Sequence, residues 1–245
     1  ISMHLAEAAL DTSQRELANI TFETAYWDQA VANLVTNFNV DWAISNLGVY
    51  LLDNYGVSAS YYIDEDGRAV FGTRNGEPIS EDPFIRYEGG LDILVQEALS
   101  GDPHDDPFPA SGIIYDADMT YSASVVRLTT YMQKGGEEIV EATGAVIVFL
   151  KAIDQGLLSD LSNRHLLPNL RIQRSETPIQ DASMPLAAAN GDQIGLLVWD
   201  PELPGTKILF QLLWGLAGVL MIDDGFAFVF RNRSGDSTSA LLDAS

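Results

Sequence analysis

Apolar residues at Leu10, Leu17, Ile20, Trp27, Val31, Leu34 and Phe38 recur at helical spacings, which keeps one stripe of a helix facing inward. The pattern predicts one long amphipathic helix to Phe38, weakened locally at Asp11-Thr12-Ser13. On it the indole of Trp27 enters a core beside the carboxylate of Asp28. A second helix is predicted from Asp41, a residue type suited to an N-cap, through Trp42, Ile44, Leu47, Leu51 and Leu52 to Asn54-Tyr55-Gly56.

The period then changes to that of strands. Val57 to Ile63 and Arg68 to Thr73 are joined by Asp64-Glu65-Asp66-Gly67, whose Asp-Gly ending signals a hairpin. The remaining ligands of a calcium loop are missing, so this tetrapeptide is a turn. Pro83 to Leu99 is helical by period, with Ile85, Leu91, Leu94, Val95 and Leu99 inward and Gly89-Gly90 as an interior weakness. Residues 101–109 form a loop whose acidic residues and His104 are solvated rather than metal-binding.

Strands are expected at Gly112 to Tyr115, Tyr121 to Met132 and Ala142 to Leu150, then a helix from Asp154 to Ser162. Further strands are expected at Leu170 to Arg174, Ala182 to Ala189 and Gln193 to Trp199, the last two joined at Asn190-Gly191 by a type I′ turn. Helices grouped at the start and strands joined by hairpins predict an antiparallel sheet in an α+β domain, with room for a small second sheet.

The run from Ile208 to Phe230 is apolar, has the length of roughly 20 residues needed to cross a bilayer, and is followed by Arg231 and Arg233. Asp223-Asp224 interrupts it, each carboxylate costing about 2.5–3.5 kcal/mol near the centre of a span. A transmembrane helix and a core-packed or interfacial helix both fit.

Charge narrows the function classes. A formal net charge of −22, from 13 basic and 35 acidic residues, argues against nucleic acid, whose binding leans on Lys and Arg meeting phosphates. It argues equally against an anionic leaflet, and it suits a cationic ligand or divalent ion without selecting either. The absence of cysteine excludes disulfides, thiolate zinc sites and cysteine nucleophiles. No secretory leader is legible in Ile1 to Leu5. Gly-x-Ser-x-Gly, His-Glu-x-x-His, Walker and Gly-x-Gly-x-x-Gly patterns are absent, and His4, His104 and His165 are scattered. No cofactor and no metal are expected. A hydrolase using paired carboxylates stays as a rival class, though in a chain this acidic such a pair carries little information.

Several stretches, in order, resemble the CHASE4 family of bacterial receptors: Ala25-Tyr26-Trp27-Asp28-Gln29-Ala30, Asp41-Trp42, Tyr61-Tyr62-Ile63-Asp64 with Asp66-Gly67, and Gly89-Gly90-Leu91. To these are added Gly144 to Leu150 with Ile153-Asp154, and Gly195-Leu196-Leu197-Val198-Trp199-Asp200-Pro201 with Pro204-Gly205 before the apolar run. The resemblance implies a periplasmic sensory domain of PAS-like or Cache-like fold lying between two membrane helices. Such a domain signals to a cytoplasmic diguanylate cyclase, cyclic-di-GMP phosphodiesterase or histidine kinase. The upstream membrane helix is not in this sequence, which implies a piece of a longer protein.

The organisation expected is a signalling helix over residues 1–38, a sensory domain over 39–205, an apolar helix over 206–230 and a linker over 231–245. Tyr26, Trp27 and Asp28 on the first helix would meet Tyr61 and Arg127 on strands, with aromatic walls, one carboxylate and one guanidinium to clamp an unidentified zwitterionic small molecule. The plainer alternative is that Asp28 and Arg127 are structural and the aromatics are core. Membrane attachment through the apolar helix and a homodimer complete the expected partners. A purely structural, dimerising domain is the alternative function.

Overall fold

The computed structural model describes residues 2–101, 109–134, 137–174 and 182–200. The chain divides into two units, Ile1–Pro201 and Glu202–Ser245, and all described residues belong to the first. The expected apolar helix over 206–230 and the acidic loop with His104 lie outside the described residues. Among the described residues no helix is long and apolar enough to cross a membrane, and no group of three or more His, Asp or Glu is placed to hold a metal ion.

Helix α1 (Ser2–Ala25) runs unbroken through Asp11-Thr12-Ser13, with Ala6, Ala9, Ser13 and Leu17 buried along one face. It does not continue to Phe38. Trp27 is extended (φ −85°, ψ 116°), and the helix restarts as α2 (Asp28–Val31), followed by a π-helical stretch over Ala32–Thr36. The break resets the helical phase, so the stripe extrapolated through Trp27 fails there: the indole is 40% exposed, whereas Val31 and Leu34 beyond it are buried. The next helical run comprises α3 (Val40–Ala43), a π-helical stretch Ile44–Val49 and α4 (Tyr50–Tyr55). Its cap is Asn39, whose side chain accepts from the Trp42 amide, rather than Asp41. Gly56, at φ 68°, ends it in the left-handed conformation that favours glycine.

Six strands, β1 (Ala59–Ile63), β2 (Ala69–Arg74), β3 (Glu77–Ile79), β4 (Ala110–Tyr115), β5 (Thr120–Lys134) and β6 (Glu137–Ala152), form one antiparallel sheet in the order β3-β2-β1-β6-β5-β4. Strands β1 and β2 meet at the expected turn, where Asp64 Oδ1 accepts from the Asp66 and Arg68 amides. The two-residue hairpin with positive φ at both centres is at Asn75-Gly76 (φ 50° and 81°), and it adds β3. At Asn190-Gly191 only the glycine has positive φ, and the strands there, β8 (Ser183–Ala187) and β9 (Gln193–Val198), are joined by a longer loop rather than a type I′ turn.

The single helix expected over Pro83 to Leu99 is two helices, α5 (Pro83–Arg86) and α6 (Leu91–Ser100). Gly89 and Gly90, at φ 95° and 101°, separate them, so Ile85 falls off the α6 stripe and is 83% exposed. Strands β4, β5 and β6 complete the sheet. Helix α7 (Gln155–His165) is capped by Asp154, whose side chain accepts from the Leu157 amide. Strand β7 (Arg171–Gln173) then pairs with β9 in a separate three-stranded sheet ordered β7-β9-β8.

Alternation along the central strands divides the large sheet into two buried faces. Tyr62, Val126, Leu128, Ile147 and Phe149 pack under the N-terminal helices with Leu17, Leu34, Leu47 and Leu51. Tyr61, Ile63, Val125, Val146, Val148 and Leu150 pack under α6 with Tyr87, Leu91 and Leu94. The expected antiparallel α+β architecture is observed, with helices on both faces of the larger sheet.

Candidate functional site

On the α6 face, polar side chains converge from separate elements. Arg74, at the end of β2, forms two parallel hydrogen bonds with Glu81, Nη1 to Oε1 at 2.6 Å and Nη2 to Oε2 at 3.1 Å. Arg86, the last residue of α5, lies 3.8 Å from Glu81 Oε2 and donates to Asp116 Oδ2 at 3.0 Å. Asp116 follows β4, and its other oxygen, Oδ1, accepts from the Asp118 and Met119 amides at 2.9 and 2.8 Å. The Tyr121 hydroxyl of β5 donates to Asp116 Oδ2 at 3.2 Å.

Tyr87 links the ion-pair network to the centre of the sheet. Its ring stands edge-on to Tyr121 at 5.3 Å and to Tyr61 at 6.0 Å, and its oxygen accepts from the Tyr61 hydroxyl at 3.3 Å. The backbone places it there. Glu88 pairs with Tyr115, the Gly89 carbonyl accepts from the Asn190 amide at 2.9 Å, and a Cβ on Gly90 would lie 2.8 Å from Asn190 N. Only glycine tolerates both that approach and the positive φ.

Two guanidiniums and two carboxylates balance in charge, and their surroundings tune them. Burial pushes Asp116 up, but the Asp118 and Met119 amides, Arg86 and Tyr121 together outweigh it and hold the carboxyl below its ordinary range. Glu81 is held low mainly by its hydrogen bonds from Arg74. Burial, reinforced by the Tyr87 hydroxyl, pushes Tyr61 up, and burial with Asp116 does the same to Tyr121, so both phenols stay neutral donors. Nε of Arg86 is buried with no acceptor among the described residues, and so is Nε of Arg74, although the Tyr61 and Tyr87 hydroxyls act on the Arg74 guanidinium electrostatically. Such orphaned donors are costly. Beside Asp116 lies a cavity of about 290 Å³, bounded also by Glu88, Tyr115, Arg174 and Asp192.

Of the residues singled out by sequence, Tyr61 belongs to this cluster. Arg127 is on the same face but pairs with Val146, whose other neighbour is Ile63, and its Nη1 reaches the Gly101 carbonyl at 3.5 Å. Tyr26, Trp27 and Asp28 lie on the opposite side. Tyr26 stacks on Phe22 at 4.4 Å, Trp27 tilts against Trp42 at 5.4 Å, and Asp28 accepts from the Thr130 hydroxyl at 3.2 Å. The five therefore do not form one constellation. Arg74, Glu81, Arg86, Tyr87, Asp116 and Tyr121 carried no sequence signal as a group, because they come from different elements at irregular spacing.

A search of the curated proteins found no match. The model of the CHASE4 domain matches residues 9–173, well over half of the chain. That span takes in most of α1, the whole six-stranded sheet and every residue of the polar cluster. By that match, the chain belongs to the CHASE4 family of extracytoplasmic sensory domains.

Proposed function

We propose that this chain is the sensing module of a bacterial membrane receptor. On the periplasmic side of the inner membrane, a small molecule carrying both signs of charge settles against the Arg74–Asp116 cluster. Its occupancy passes to a cytoplasmic diguanylate cyclase, cyclic-di-GMP phosphodiesterase or histidine kinase. The observation that supports this most is the convergence of two guanidiniums, two carboxylates and neutral tyrosine hydroxyls beside a cavity that Asp116 lines. An amino acid or another zwitterion needs that combination of donors and acceptors.

Transmission follows from the layering. Tyr121 sits on β5, and α1 packs against the other face of β5, so a shift of that strand is felt by the helix without an intermediary. In this reading the sheet is a PAS-like or Cache-like variant, residues 206–230 attach the domain to the membrane, residues 231–245 lead towards the output module, and the receptor works as a homodimer. Catalysis is left to the output module.

The test is thermal unfolding of the chain against amino acids, carboxylates, polyamines and divalent ions. A true ligand at a hundredfold its Kd stabilises the fold by about 2.7 kcal/mol, and Asp116→Asn, which keeps the side-chain shape, should abolish that shift. If no zwitterion raises the melting temperature, the reading fails and a structural, dimerising domain is favoured; a shift that survives in Asp116→Asn removes the ligand from this cluster and refutes the assignment of the site.

A further inference from the structure

On the opposite side of the domain, where α1 ends and α4 passes it, Trp27, Tyr50, Tyr55, Ile20, Leu51 and Glu23 line a recess of about 430 Å³. Its aromatic walls are open to solvent, with Trp27 40% and Tyr50 50% exposed. Neighbours hold the rings in place. Trp27 leans on Trp42 at 5.4 Å, and Tyr50 and Tyr55 stand edge to face at 5.8 Å with their hydroxyl oxygens 3.4 Å apart. Two more polar residues complete the lining, and both have local partners: the Thr24 hydroxyl donates to the Ile20 carbonyl and the Asn46 amide to the Trp42 carbonyl, each at 2.8 Å.

Charge decides what such a recess holds. The lining contains one carboxylate, Glu23, and no basic residue. A carboxylate without an ion pair among the described residues, set beside aromatic faces, attracts a cation whose hydration is weak enough to give up to the rings. A chain of net charge −22 adds a long-range field of the same preference. A neutral apolar molecule gains nothing from Glu23, and an anion is repelled by it.

We propose that this recess is a second binding site, for a quaternary ammonium or similarly bulky organic cation, formed by Trp27, Tyr50 and Tyr55 with Glu23 as counter-ion. It is independent of the Arg74–Asp116 cluster in residues, in face of the sheet and in ligand charge. The break at Trp27 acquires a role here, since it turns the indole out of the helical stripe to become one wall of the recess.

Calorimetric titration of the chain with choline, and with its uncharged isostere 3,3-dimethylbutan-1-ol, tests the proposal. Choline should bind, the isostere should bind about tenfold more weakly or not at all, and affinity should fall as salt rises. Trp27→Ala should abolish binding. Glu23→Gln, an exposed substitution that leaves the packing intact, should weaken it about three- to tenfold. Asp116→Asn should leave it unchanged, which separates this outcome from failure of the zwitterion site. Equal affinity for choline and the isostere, no choline binding to the parent chain, or undiminished binding in Glu23→Gln would each overturn the assignment.

Discussion

Replacing Gly72 by Ala adds one methyl group where the sheet has no room for it. A Cβ at Gly72 would lie 2.7 Å from Tyr61 Cδ1, 2.8 Å from Tyr61 Cε1 and 3.3 Å from Ile79 Cγ1. Gly72 is directly opposite Tyr61 in the β1–β2 register, so the ring lies across the bare backbone. Tyr61 cannot easily retreat, being fully buried and held through its hydroxyl by Tyr87. Overpacking of this kind costs about 1–3 kcal/mol. Against it, losing a glycine stiffens the unfolded chain and returns about 0.4–1 kcal/mol.

The net loss is about 1.5 kcal/mol, which lowers the Tm of a domain this size by roughly 3–6 °C. Thermal unfolding followed by circular dichroism measures it. Gly101→Ala is the control, since nothing lies within 4 Å of its Cβ position and its φ is −64°; it should gain the unfolded-chain term alone, about 0.4–1 kcal/mol. In a Tyr61→Leu background the Gly72 substitution should lose most of its cost, a coupling that a double-mutant cycle isolates. A Gly72→Ala variant melting with the parent, or no coupling to position 61, would refute the packing described here.

Two further outcomes follow from the same structure. Trp27→Ala should cost about 1–2 kcal/mol in urea unfolding, below the 3–5 kcal/mol of a fully buried indole, because the ring is 40% exposed; a larger loss would place the indole in the core after all. Asp116 and Glu81 are held below their ordinary ranges, so their stabilisation is complete above about pH 4–5 and is lost as pH falls through the lower folded-state values. Asp116→Asn should therefore melt lower at neutral pH and lose less stability on acidification, and parallel pH curves for variant and parent would contradict the ion-pair geometry.

Much of the architecture was legible because local chemistry and periodicity carry it. The Asp-Gly turn after Ile63, Gly56 closing the second helical run, and Asp154 starting α7 work through hydrogen bonds and backbone angles within a few residues of themselves. Runs of β-branched and aromatic residues in β1 and β6 announced strands, and the Asp-Gly turn announced that β1 and β2 run antiparallel. Family membership was legible for a related reason, since it rests on short stretches in order along the chain. Periodicity misled where a helix broke without a strong breaker. Nothing in Tyr26-Trp27 requires the extended Trp27, so in the sequence the stripe continues through it and predicts a core indole.

The sequence by itself therefore determined most of the elements, though not where the helices break, together with the antiparallel α+β class and the family, because those follow from contacts between near neighbours and from patterns of two and 3.6 residues. Only the tertiary structure decided which polar residues meet. The direction each side chain takes from a strand depends on register, and register is settled by packing across the sheet rather than along it. That is why Tyr61 joins Arg74, Arg86 and Asp116 on one face, while Trp27 and Asp28 lie across the sheet with Glu23, Tyr50 and Tyr55.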